Sequence, residues 1–156
     1  MKNFSQHSNK IGFIALLLLF VLVQIEANSR NRQDTSKITS QASAQATSQS
    51  TYNKLMKELY QSRNLPANEL ILKAALLRQG TPYVAGTLER GDKEELVVNL
   101  DETDCILFVE SCFALAQTAK SNDTSYINFC KNLQEFRYRN GTVDGYTSRI
   151  HYTSEW

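Results

Sequence analysis

Three cysteines and two histidines are all the thiol and imidazole that 156 residues contain, and none falls at zinc-ligand spacing. That excludes a structural zinc cluster from the reading. A glycine-rich phosphate loop is missing, and so is any repeat period, which removes the phosphate-loop and solenoid classes. Charge of one sign is also lacking, with 17 Lys and Arg against 16 Asp and Glu. Discounting Met1 to Ala27 takes away Lys2, Lys10 and Glu26 and leaves fifteen of each. No basic excess then points to nucleic acid. No cysteine lies near Ala27, which argues against a lipid-anchored form. Nothing in the sequence asks for a cofactor or a metal.

What is present begins with an apolar run, Ile11 to Ile25 ("IGFIALLLLFVLVQI"), broken only by Gln24. Fifteen residues is the upper end for a signal-peptide core and short for a membrane span. Small residues at Ala27 and Ser29 suit cleavage, so residues 1–27 are read as a signal peptide. An uncleaved anchor is the alternative and would be the only membrane contact. The product is expected to be exported, either periplasmic or secreted. Asn28 to Thr51 has Ser, Thr, Asn or Gln at sixteen of 24 positions, with Ile38 its only large apolar side chain. Such a stretch cannot bury enough surface to offset the entropy of ordering, so 28–51 reads as a flexible tether. Residues 52–156 are left as the folded domain.

Helical spacing dominates that domain. Leu55, Met56, Leu59 and Tyr60 make one apolar face. A second helix follows Pro66 and stops near Gly80, with Leu70, Ala74, Leu76 and Leu77 expected inside. Thr103 or Asp104 would cap a third helix that opens at Cys105 and buries Phe108, Cys112, Leu115 and Ala119. A fourth, capped near Asp123, would turn in Tyr126 or Ile127, Cys130, Leu133 and Phe136. Two stretches read as strands, Glu95–Leu100 and Tyr146–Trp156.

An odd number of cysteines in an exported chain leaves at least one free or paired between molecules. Cys112 and Cys130 fall on apolar stripes and read as small buried hydrophobes. Cys105 falls at the start of a helix instead. There, unpaired backbone N–H groups and partial positive charge favour a thiolate, which is the attacking form. The same N–H groups can receive the oxyanion of a tetrahedral intermediate. Asp101, Glu102 and Asp104 act against the thiolate if they point at it. Because His7 lies in the leader, His151 is the only histidine left to partner Cys105.

"GTPYVAG" (Gly80–Gly86), "DC" opening a helix with "FVE" (Phe108–Glu110) inside it, and the "SRxHY" pattern within "VDGYTSRIHYTSEW" together resemble the NlpC/P60 cysteine-peptidase superfamily. Within it they are most similar to the N-acetylmuramoyl-L-alanine amidase-like (DUF1460) branch. The resemblance implies an α+β, papain-like fold, with N-terminal helices and a Cys-bearing helix against an antiparallel sheet. It implies Cys105 as nucleophile, His151 as general base and Tyr83 as a substrate contact. It also implies muropeptides as substrates, cut at the amide between N-acetylmuramic acid and L-alanine. An alternative is an endopeptidase that cuts further down the stem peptide. If Tyr146–Trp156 is a strand, Arg149 shares a face with His151 and is placed to grip a substrate carboxylate. Only two strands are foreseen, and no third polar residue lies within reach of His151, Thr153 and Glu155 being too far along the strand. The sheet is therefore expected to be incomplete and the chain truncated at its C-terminus, with an inactive, wall-binding remnant as a further reading.

Overall fold

The computed structural model describes residues 47–155. The expected leader and most of the expected tether lie outside the described residues. Four helices carry the domain: α1 over residues 47–61, α2 (Ala67–Leu77), α3 (Cys105–Lys120) and α4 (Tyr126–Arg137). α3 is the centre, packing on α2 on one side and α4 on the other. Its small residues Ala114, Ala116 and Ala119 let the neighbours approach, and Leu107, Cys112 and Leu115 fill the space between. Asp104 caps α3 by accepting from the Leu107 N–H at 2.8 Å, and Ser125, two residues beyond Asp123, caps α4 through Asn128 N–H.

α1 contributes Tyr52, Leu55, Met56 and Leu59 to the common core, all buried. The Tyr52 ring meets Phe129 at 4.9 Å and Tyr126 at 5.3 Å between centroids, and its hydroxyl donates to the Thr124 carbonyl at 2.8 Å. Residues 47–51, which composition assigns to the tether, are helical here. Ser48 and Thr51 donate to the Asp101 carboxylate at 3.0 and 2.6 Å, so two polar side chains find a fixed acceptor and order the turn. In α2, Leu70 and Ala74 are buried but Leu76 and Leu77 are exposed, because the helix meets α3 along one narrow stripe. Gly80, at φ +88°, turns the chain out of α2 into the Thr81–Val84 loop.

The expected α+β, papain-like fold with an antiparallel sheet is not what the structure contains. Among the described residues there is no sheet, only two isolated bridges, Tyr83–Thr103 (parallel) and Tyr138–Arg149 (antiparallel). The physical reason lies in where the backbone groups find partners. Along 95–100 side chains take them: Tyr138 Oη donates to Glu95 O at 3.0 Å, Arg137 Nη1 donates to Val97 O, and Leu100 N–H donates to Ser48 Oγ. In the last segment Gly145 (φ +68°) leads into a 3₁₀ turn, Tyr146–Ser148. A second such turn occupies Thr153–Glu155. The apolar–polar pattern there does not follow burial, since Tyr146 and Tyr152 are exposed while Arg149 is buried.

Burial also sets an alkaline limit. Loss of solvent holds the Tyr52 and Tyr138 hydroxyls far above the usual phenol range and pushes Tyr126 up to about 12. It raises the Cys112 and Cys130 thiols as well. Each of these folded-state values lies above its unfolded one, so the unfolded chain gives up these protons first. Stability is therefore whole below about pH 8 and falls as the pH rises toward 12. Thermal melting should show a lower midpoint at about pH 11 than at about pH 8. An unchanged midpoint would contradict this reading of the core.

Candidate functional site

Cys105 is the first residue of α3 and is exposed. With Leu107 N–H taken by the Asp104 cap, the Cys105 and Ile106 amides are donors at the helix start without an intrahelical acceptor. The three acids just before the thiol are engaged elsewhere. Asp101 holds Ser48 and Thr51, Glu102 accepts from Asn99 Nδ2 at 3.2 Å, and Asp104 caps the helix. Asn99 Oδ1 also accepts from the Asp101 and Glu102 amides at 3.1 and 2.9 Å, which fixes the turn that leads into the cap.

Tyr83 is placed beside this turn. Thr103 N–H donates to Pro82 O at 3.0 Å and Val84 N–H donates to Thr103 O at 2.9 Å, so residues 82–84 run alongside Thr103, two residues before the thiol. The Tyr83 ring is 70% exposed and available to a ligand. Behind the loop, Arg78 ties the end of α2 to α3. Its guanidinium donates to Ser111 Oγ and lies over the Phe108 ring at 5.2 Å.

His151 belongs to a second group. Its ring packs on Tyr146 at 4.5 Å between centroids, and its Nε2 lies 3.2 Å from the Tyr146 carbonyl. A carbonyl can only accept, so a hydrogen bond here puts a proton on Nε2, and in the neutral ring Nδ1 is then the acceptor. Glu155 pairs with Arg139 at 2.8 Å and does not serve His151. Among the described residues no hydrogen bond joins His151 to Cys105.

Arg149 departs from the expected geometry. There is no strand to give it a common face with His151, and its side chain is 5% exposed, paired with Glu89 at 3.2 Å and Glu94 at 3.6 Å. The carboxylates it grips are the protein's own. It also lies over the Tyr146 ring at 5.1 Å. A cavity of about 570 Å³ opens here, lined among others by Glu89, Asp92, Lys93, Glu94, Tyr146 and Arg149.

One residue joins the two groups. Arg137, at the end of α4, donates through Nε to Glu110 Oε2 of α3 at 2.8 Å, and both side chains are 1% exposed. Its Nη1 donates to Val97 O, while its own carbonyl accepts from Ile150 N–H at 2.8 Å. Burial raises the Glu110 carboxyl above its usual range and Arg137 opposes that rise. Sequence reasoning gave neither residue a role, although the signal is there. Glu110 lies on the buried face between Leu107 and Ala114, and Arg137 follows Leu133 by one turn. A charge on an apolar stripe needs a buried partner.

Among the described residues no group of three or more His, Cys, Asp or Glu is placed to hold a metal ion. No helix among them is long and apolar enough to cross a membrane.

The family described as AmiA-like, N-acetylmuramoyl-L-alanine amidase-like, matches residues 74–156, a span that contains Tyr83, Cys105, Arg149 and His151. Two crystal structures of an N-acetylmuramoyl-L-alanine amidase from Bacteroides uniformis ATCC 8492 are similar. One is 43% identical, covers 58% of this chain and 37% of that one, and superposes with a TM-score of 0.54. The other is 46% identical over 55% of this chain and 37% of that one, with a TM-score of 0.52. A Bacteroides fragilis structure with a provisional xylanase name is 50% identical over 49% of this chain and 33% of that one. Its TM-score of 0.45 is too low to carry an argument. The chain thus spans about a third of the length of the solved proteins it matches. Among curated proteins none matches.

Proposed function

The chain belongs to the N-acetylmuramoyl-L-alanine amidase-like family, and from that premise we propose that it carries the cysteine centre of a peptidoglycan amidase. The scissile bond is the amide between the lactyl group of N-acetylmuramic acid and L-alanine in muropeptides. The observation that carries the reading is the exposed thiol of Cys105 at the capped start of α3, inside the matched span.

In the mechanism, His151 Nδ1 takes the thiol proton and Cys105 Sγ attacks the amide carbon. Nε2, donating to the Tyr146 carbonyl, holds the ring in that tautomer. This is the service that a third polar side chain would otherwise give. The Cys105 and Ile106 amides receive the oxyanion. The imidazolium returns its proton to the departing L-alanine nitrogen, and water then hydrolyses the thioester to free the lactyl carboxylate. Tyr83 lies across the sugar or the first residues of the stem. The cavity beside Tyr146 takes the remainder, and Arg149 shapes that cavity through Glu89 and Glu94. Within the NlpC/P60 superfamily, of which this would be a branch, the competing activity is cleavage between D-glutamate and the diamino acid. Residues 1–27 act as an export signal and the polar residues after them as a tether, which places the enzyme in the periplasm or outside the cell.

Hydrolysis of a muropeptide should rise from about pH 5 to about pH 8, the span over which histidine sheds its charge. A rate that stays flat across that span would remove His151 from the role of base.

A further inference from the structure

Two helices can be held together by apolar side chains alone. Burying an ion pair costs desolvation that its own attraction barely offsets, and well-packed hydrophobes often do as well or better. Glu110 and Arg137 are nevertheless both 1% exposed, so the charge is kept for something that apolar packing does not supply. What it supplies is direction. The planar fork of Arg137 binds Glu110 on α3 and Val97 O on the extended segment, and the carbonyl of the same residue binds Ile150 N–H. Ile150 immediately precedes His151. Glu110 lies five residues after Cys105 on one rigid helix, about 7.5 Å along its axis.

We infer that Glu110 and Arg137 are positioning residues, which fix the His151 segment against the Cys105 end of α3 through the Arg137 carbonyl. The inference rests on the cysteine–histidine reading above. Neither residue touches substrate. Tilting Arg137 moves the acceptor of Ile150 N–H and with it the His151 segment, while the helices still pack through Leu107, Leu115, Phe129 and Leu133. The other charges near Glu110 are Asp104 on the α3 cap and Arg149 behind Tyr146. Arg149, with its partners Glu89 and Glu94, lies over the Tyr146 ring on which His151 packs.

The test uses the full chain and follows the rate of Cys105 alkylation by iodoacetamide against pH, so it does not depend on hydrolysis. The unaltered protein should show a histidine-linked inflection between about pH 5 and about pH 8 that His151→Ala removes. Glu110→Gln keeps the size of the side chain but replaces the charged acceptor of Arg137 Nε by a weaker amide oxygen, and it should lose the inflection while circular dichroism and cooperative melting remain. The double variant Glu110→Leu with Arg137→Met replaces the pair by apolar groups, keeps the fold, and should lose the inflection too. If Glu110→Gln does not fold, the double variant decides. A folded variant that keeps the inflection would overturn the inference and leave the cysteine–histidine reading standing. An inflection missing from the unaltered protein would overturn both. Unfolding of both variants would make the pair a requirement of the fold and defeat the positioning role.

Discussion

If the proposed function holds, replacing Cys105 with serine should abolish muropeptide hydrolysis, by a factor on the order of 10⁴ or more, and leave the helices intact. The two side chains are nearly the same size, and serine is tolerated at a helix start. The thiol is exposed and supports no packing, so circular dichroism and the melting midpoint should not move. A serine hydroxyl is far less acidic and less nucleophilic than a thiol, so a site built around a thiolate does not activate it, and the helix-start amides alone do not replace a nucleophile. In the same protein, native alkylation should reach Cys105 before Cys112, which is 2% exposed, and before the half-buried Cys130. A Cys105→Ser protein that still hydrolyses at the original rate would take the chemistry away from this thiol.

Arg137→Met should cost about 3–5 kcal/mol of stability, the range for removing one partner of a buried pair. The methionine fills most of the space but strands Glu110, which has no water to turn to at 1% exposure. Burial already pushes the Glu110 carboxyl upward and Arg137 restrains it. Without the arginine the carboxyl rises further above its unfolded value. The variant is then most stable at low pH, where Glu110 is protonated, and loses stability as the pH rises through the folded value. Adding Glu110→Leu should recover most of the loss, because no charge is left buried. Urea unfolding at two pH values measures both effects. A loss below about 1 kcal/mol at neutral pH would show that the pair contributes little.

The helices were legible because burial on one face repeats at helical spacing. Leu55, Met56 and Leu59, then Leu70 and Ala74, then Cys112, Leu115 and Ala119 lie where periodicity puts them. The cap on α3 was legible for a local reason, since Asp104 needs only the amide three residues on. The strands were misread because the residue types along 95–100 and 146–155 do not say where the backbone groups find their partners. Tyr138, Arg137 and Ser48 supply hydrogen bonds to 95–100, where a ladder would need a second strand. Arg149 was misplaced for the same reason. Its partners, Glu89 and Glu94, lie some sixty residues away in sequence, beyond any local pattern. The Tyr146 carbonyl beside His151 was missed because a backbone group leaves no mark on residue identity.

Product analysis by mass spectrometry, after the full chain is incubated with a defined muropeptide, decides whether this is an amidase of the sugar–peptide bond. The expected products are the sugar with a free lactyl carboxyl group and a stem peptide that begins at an unblocked L-alanine. Neither should form with Cys105→Ser. A shortened peptide still attached to its sugar, or the muropeptide recovered whole, would contradict the proposal.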